Sequence, residues 1–162
     1  LNNLTSSIKN IMDIKVKIVT KDNVDVYDSI KNLLLQLYNG MPEIINVDFN
    51  SVLDSSCTEV FIAQYEDKVI ATATLVKYKK LVGYVGLIED FIVDEECRGE
   101  GVGGTLLEHI SSYGNNLGMD FIDVNTRRKD AVSFYKKHGF IEKRLHRKFY
   151  SLRYFCGSKK IL

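Results

Sequence analysis

Four glycines crowd the segment Gly99-Glu100-Gly101-Val102-Gly103-Gly104, behind an apolar run that ends at Val93 and ahead of an amphipathic stretch from about Val102 to Leu117. Glycine tolerates backbone angles that other residues resist, so a strand turns tightly here into a helix. Bare N–H groups in the turn and the positive end of the helix suit a phosphate or pyrophosphate. A P-loop needs Gly-Lys-Ser/Thr, and Gly103-Gly104-Thr105 has no lysine. Gly99-x-Gly101-x-x-Gly104 matches the dinucleotide spacing, with Asp120 or Asp123 as the ribose acid. That match follows several antiparallel-type strands instead of opening the first βαβ unit, which counts against it.

The rest of the chain is punctuated clearly. Ile14-Lys15-Val16-Lys17-Ile18 alternates with period two and predicts a strand. Asp22 or Asn23 can cap a helix from about Val24, with Val26, Ile30, Leu33, Leu34 and Leu37 on one face, and Asn39-Gly40 and Pro42 end it. Asp48 is placed to cap a short helical turn through Val52 and Leu53. Thr58–Tyr65 and Val69–Tyr78 flank Glu66-Asp67-Lys68 as a hairpin, and a loop at Lys79–Gly83 leads to a long strand, Tyr84–Val93. After the Val102–Leu117 helix come a short strand Phe121–Val124, a helix Lys129–His138 capped by Gly139, and one or two strands over Phe140–Phe155. This order predicts an α/β (α+β) fold, a mixed and mostly antiparallel sheet flanked by helices with one parallel crossover.

Composition sets the outer bounds. The 162 residues are one domain's worth, 45% hydrophobic and 27% charged, so wholesale disorder is not expected. No run of about 20 apolar residues exists to span a membrane as a helix. Residues 12–155 read as the single domain, 1–11 as a leader or extension outside the fold, and 156–162 as a C-terminal tail. Cys57, Cys97 and Cys156 are odd in number and widely spaced, and His109, His138 and His146 are scattered. Neither a disulfide framework nor a metal site is legible, and reduced cysteines suit a cytoplasmic protein. Residues 127–162 hold 12 Lys/Arg against Asp130 and Glu142 alone, whereas the other 126 residues carry 10 basic and 19 acidic side chains. A basic third on an acidic two-thirds suggests one face for a polyanion or phosphorylated cofactor and another for cations.

Taken whole, Arg98-x-x-Gly101-x-Gly103 after an apolar strand resembles motif A of the GNAT superfamily of acetyl-CoA-dependent N-acetyltransferases. Downstream, Ala131-x-x-Phe134-Tyr135-x-x-x-Gly139-Phe140 is similar to that family's AxxFYxxxGF motif, and Asn125-x-Arg127-Arg128 ahead of it is similar to a bacterial branch. The two motifs stand in the right order with a strand between them, and the resemblance covers roughly residues 14–150.

The resemblance implies a GNAT-like sheet with a V-shaped splay between the Tyr84–Val93 and Phe121–Val124 strands. It implies acetyl-CoA as acetyl donor: Phe91, Ile92 and Val93 would meet the pantetheine arm like an added strand, and Arg98, Gly99, Glu100, Gly101, Val102 and Gly103, backed by Gly104 and Thr105, would cradle the pyrophosphate. Asn125, Arg128, Ala131, Phe134, Tyr135 and Lys137 are further cofactor contacts by position, with Arg127 and Lys136 as alternative phosphate partners. Tyr135 would be the acid that protonates the departing thiolate. Glu89 and Asp90 are the candidates for acid–base work on the acceptor amine, directly or through water. A common family pattern puts an acid at Leu87 instead, while Glu89-Asp90 resembles branches reading IEDxxV, including glucosamine-phosphate acetyltransferases. Adjacent strand residues face opposite ways, so only one of the pair is expected to reach the amine. Asp90 could instead bond backbone at a bulge, and Glu89 could hold substrate.

The expected activity is transfer of an acetyl group to a primary amine in a ternary complex, the acceptor being a small amine or a protein amine. Substrate choice is assigned to the early helices and the Lys79–Gly83 loop. A homodimer through the last strand is compatible with the resemblance. The rival readings are a non-catalytic acyl-CoA-binding module, an RNA-binding protein using the basic third around Tyr150, Tyr154 and Phe155, and a dinucleotide oxidoreductase.

Overall fold

A computed structural model describes residues 13–39, 48–143 and 150–157. Among the described residues, seven strands form one sheet in the order β1-β2-β3-β4-β5-β7-β6. They are β1 Ile14–Ile18, β2 Thr58–Tyr65, β3 Lys68–Lys80, β4 Gly83–Val93, β5 Phe121–Thr126, β6 Ile141–Lys143 and β7 Tyr150–Phe155. Every neighbouring pair is antiparallel except β4–β5, the parallel pair joined by a crossover helix. The helices are α1 Tyr27–Leu37, α2 Phe49–Asp54, α3 Val102–Asn116 and α4 Lys129–Lys137. The mixed, mostly antiparallel architecture is the one the sequence order implies.

Alternation within strands sends side chains to two cores. Phe61, Ala63, Ala73, Leu75 and Ile88 join Leu106, Leu107 and Ile110 of α3 and Val132 and Tyr135 of α4 on one face. Val60, Ile62 and Ile92 pack with Ile30, Leu33 and Leu34 of α1 and Phe49 of α2 on the other. Burying one such aliphatic side chain contributes roughly 1.5–3 kcal/mol.

Several boundaries differ from the sequence reading. Val24–Val26 is a 3-10 turn before α1, and the Asn23 side chain does not cap it. Asn23 Oδ1 instead accepts from the Thr20 N–H and hydroxyl at 2.9 and 3.0 Å, a local turn that competes with capping. Asp48 does cap α2, accepting from the Ser51 N–H at 3.1 Å. Lys79 and Lys80 lie in β3, paired with Tyr84 and Gly83, so the expected loop shrinks to a turn at Leu81-Val82, where Leu81 is fully exposed. That turn starts β4, about 20 Å along the strand from Glu89 at ~3.3 Å per residue. Cys156 is buried in the core and the Gly157 N–H donates to Asn115 Oδ1 at 2.9 Å, so packing runs past Phe155 into the segment read as a tail. Gly40, Pro42, the 1–11 leader and part of the final strand region, residues 144–149, lie outside the described residues. No described helix is long and apolar enough to cross a membrane.

Candidate active site

β4 and β5 begin as a paired ladder and then part. Val85, Gly86, Leu87 and Ile88 pair with Phe121, Ile122, Asp123 and Val124. Beyond that point β5 continues at Asn125 and Thr126 against β7, opposite Ser151 and Tyr150, while β4 continues against β3 alone among the described residues. The divergence is the V-shaped splay of the fold.

A bulge in β4 shapes the opening. Thr74 sits opposite Glu89 and Thr72 opposite Ile92, so Asp90 and Phe91 together face the single residue Ala73. Asp90 takes a left-handed conformation, φ 51°, uncommon for a residue with a side chain. The extra residue reverses the facing of the strand: Ile88 lies in the α3 core, but Ile92, four residues on, lies in the α1 core. Past the bulge the Asp94 N–H donates to the Ile70 carbonyl at 2.8 Å. Antiparallel residues alternate between bonding their partner and facing away. Ile92 therefore faces β3, and the Val93 amide and carbonyl face the opening. The Val93 carbonyl already accepts from Arg98 Nε at 3.1 Å.

The bulge also changes the expectation for the acidic pair. Tyr38, which caps the C-terminus of α1, donates its hydroxyl to Asp90 Oδ1 at 2.6 Å. That bond, followed by partial burial and the charges of Asp90 and Glu89, pushes the Tyr38 phenol up to about 12. Glu89 is held above the ordinary carboxyl range by partial burial and then by the charge of Asp90. Asp90 is thus bonded on the α1 side, whereas the charge of Glu89 bears on both Tyr38 and Tyr135. Asp90 does stand at a bulge, with its carboxylate on a phenol. Tyr38 was missed by sequence reasoning because an exposed tyrosine at a helix end carries no pattern.

The glycine turn separates by role. Gly99 and Gly101 both have φ 86°, and a Cβ added at either would meet nothing within 4 Å. Backbone conformation requires glycine there, and the space above is open. Gly103 and Gly104 are packing positions: a Cβ on Gly103 would come 3.3 Å from Phe134 Cζ and Val93 Cγ2, and one on Gly104 only 2.7 Å from His138 Cε1. Val102 is buried in the core, and Glu100 is exposed. Gly101 caps α3, whose first intrahelical bond runs from the Thr105 N–H to the Gly101 carbonyl at 3.0 Å. The preceding N–H groups at a helix start have no intrahelical partner and can meet an anion. The Thr105 hydroxyl is bonded to the same carbonyl at 3.2 Å.

α4 closes the floor. Phe134 stacks obliquely on Phe91 with centroids 5.8 Å apart, and Tyr135 meets Phe91 edge-on at 6.0 Å and Phe140 at 5.5 Å. Tyr135 is 5% exposed. Burial pushes its phenol well above the usual range, with Arg128 pulling down and Glu89 adding to the rise. Ala131 is half-buried, and Asn125 and Lys137 are exposed. Of the described cations in the basic third, Arg128 pairs with Asp130, Lys136 with Glu142, and Lys143 and Arg153 both with Asp123. Asp130 and Glu142 are the two acids already counted within that third, so only Asp123 adds to the balance and the segment keeps its basic excess. Burial alone would raise the Asp123 carboxyl, but the bonds from Arg153 and Lys143 hold it below the ordinary range. Among the described residues, no group of three or more His, Cys, Asp or Glu is placed to hold a metal ion.

A profile of the acetyltransferase (GNAT) family matches residues 27–140, which takes in α1, the bulged strand, the glycine turn and α4. The chain belongs to this family of enzymes. It is 32% identical to glucosamine 6-phosphate N-acetyltransferase 1 of Oryza sativa subsp. japonica over 67 residues, spanning 41% of this chain and 40% of that protein. Among solved structures, an aminoglycoside acetyltransferase from an uncultured soil metagenomic sample superposes with a TM-score of 0.73 at 19% identity, covering 85% of this chain and 97% of its own. A probable acetyltransferase from Staphylococcus epidermidis ATCC 12228 gives 0.71 at 18% identity, covering 88% and 98%. At these identities the structural likenesses establish the fold.

Proposed function

We propose that this protein transfers the acetyl group of acetyl-CoA to a primary amine by direct attack within a ternary complex. The observation that carries this reading is the free edge of β4 beyond its bulge, which leads straight to the open glycine turn at the start of α3. An extended pantetheine arm would add to that edge as a strand does, and its pyrophosphate would meet the N–H groups around Gly99–Gly103. Arg98, tied to the Val93 carbonyl, holds the turn against the strand.

The acceptor is an alkylamine with a pKa near 10.4, so it must lose a proton before attack. Glu89, with its raised pKa and no bond to Tyr38, is the better base of the acidic pair. The amine nitrogen forms a bond to the thioester carbon, and its proton passes to Glu89 directly or through water. The oxygen that becomes negative is stabilised by a β4 amide facing the opening, and Val93 supplies that N–H because Ile92 faces β3. As the C–S bond breaks, the thiolate takes a proton from Tyr135, which burial keeps in its phenol form. The acidic pair favours an acceptor that arrives as a cation.

Thermal denaturation with acetyl-CoA, CoA, NAD and ATP in parallel tests the donor. A ligand at about 100 times its Kd adds roughly 2.7 kcal/mol, so acetyl-CoA and CoA should raise the Tm and NAD should not. Thiol release across a panel including glucosamine 6-phosphate, an aminoglycoside, a polyamine and a peptide amine then identifies the acceptor. No shift with either CoA species at millimolar concentration would refute the reading.

A further inference from the structure

The last turn of α1 and its cap touch β4 at two places that bracket the free edge. Before it, the Tyr38 hydroxyl binds Asp90 at 2.6 Å. After it, Gln36 Oε1 accepts from the Glu95 N–H at 3.1 Å, and Gln36 Nε2 reaches Asp94 Oδ1 at 3.5 Å. Asp94 is 7% exposed and is held further by Lys68 at 3.1 Å and by the Glu96 N–H at 3.3 Å. Between these anchors lie Phe91, Ile92 and Val93. A free strand edge has no ladder on that side to fix it, and Asp90 holds a conformation that needs support from its surroundings.

We infer that the C-terminal turn of α1 is a positioning clamp for the donor-binding edge, in which Tyr38 holds the bulge through Asp90 and Gln36 holds the exit of β4 through Asp94 and Glu95. This rests on the acetyl-transfer reading for its consequence, since the same two side chains set both the donor edge and the division of labour in the acidic pair. With Asp90 committed to Tyr38, Glu89 is left as the carboxylate that exchanges protons with the acceptor. Neither Tyr38 nor Gln36 needs to touch either substrate. The charged and titratable groups acting on this cluster among the described residues are Asp90 and Glu89 on Tyr38, Asp90 on Glu89, Lys68 on Asp94, and Glu89 with Arg128 on Tyr135.

Three variants test it: Tyr38→Phe, Gln36→Ala and their combination. Gln36→Ala should weaken CoA binding about tenfold in calorimetry while the acid limb of kcat/KM stays in place. Tyr38→Phe should lower kcat about tenfold and shift that acid limb, because Asp90 loses its donor and its charge then bears more strongly on Glu89. A purely structural tyrosine would lower Tm and leave the pH profile unmoved, and that result would overturn the clamp. A measurement on the folded wild type stands apart from catalysis. The Tyr38 phenol, followed by NMR with labelled tyrosine, should titrate near 12 and fall toward about 10 in Asp90→Asn. An unshifted Tyr38 in the wild type would refute the clamp even if the protein acetylates amines. A Tyr38 phenol that titrates near 12 in a wild type that binds no CoA would instead refute the acetyl-transfer reading and leave the contact intact.

Discussion

The two halves of β4 are built from similar residues and do opposite things. From Val85 to Ile88 the strand is bonded on both sides, and Val85 and Ile88 are almost completely buried. From Glu89 to Val93 it is bonded on one side among the described residues, and one extra residue at Asp90 has turned Ile92 to the other core while Phe91 and Val93 pack on the α3 side. A single inserted residue thus converts a strand that holds the sheet together into one that offers an edge to a ligand. The comparison separates stability from binding along one continuous strand, and substitutions on either side of the bulge should report on different quantities.

The sharpest way to break this comparison lies in the paired half. Ile88→Ala should cost about 2–5 kcal/mol, the range for emptying a buried aliphatic site, while the CoA Kd of the folded protein stays within about twofold. Urea denaturation and calorimetry check the two parts separately. At the fork itself, Tyr135→Phe should lower kcat by about a hundredfold or more with a small change in Tm, since only the hydroxyl is removed. Steady-state kinetics with the best amine of the panel reads this directly. Beyond the fork, Gly101→Ala should cost about 1–2 kcal/mol for its left-handed backbone and weaken CoA about tenfold, because the new methyl occupies the open space above the turn. Gly104→Ala makes the contrasting control, since its methyl would press on the His138 ring and should cost stability before it costs CoA affinity.

The smallest expected effect is pH-dependent and belongs again to the paired half. Asp123, opposite Leu87, has its folded-state carboxyl held below the ordinary range by Arg153 and Lys143. Its stabilisation is fully present above the unfolded carboxyl value of about 3.9 and is lost as pH falls through the lower folded value. The stability gap between wild type and Asp123→Asn should therefore be widest near neutrality and shrink below about pH 4. A gap that widened in acid would contradict the assignment.

The sequence made most of the elements legible, because alternation and helical spacing leave repeated marks and Asp48, Gly118 and Gly139 mark turns and caps. The glycine turn was legible from four glycines spaced between an apolar strand and an amphipathic helix, and the two motifs located the sheet's fork. Three things were hidden. The bulge shifts register by one residue without changing composition, so the left-handed Asp90 and the reversed facing of Ile92 left no mark in the sequence. Tyr38 and Gln36 lie more than 50 residues from the groups they bind, and no local pattern announces such contacts. The basic third was legible as a charge excess but its pairings were not: Arg128, Lys136, Lys143 and Arg153 each meet a nearby carboxylate in the fold.

The most direct test of the central claim is residue-resolved amide exchange across β4, with and without CoA. The account predicts that Val85–Ile88 amides exchange slowly in both states, whereas Val93 and the first amides of α3 become protected only when CoA is bound. Protection confined to another surface, or no change along Glu89–Val93 at saturating CoA, would contradict it.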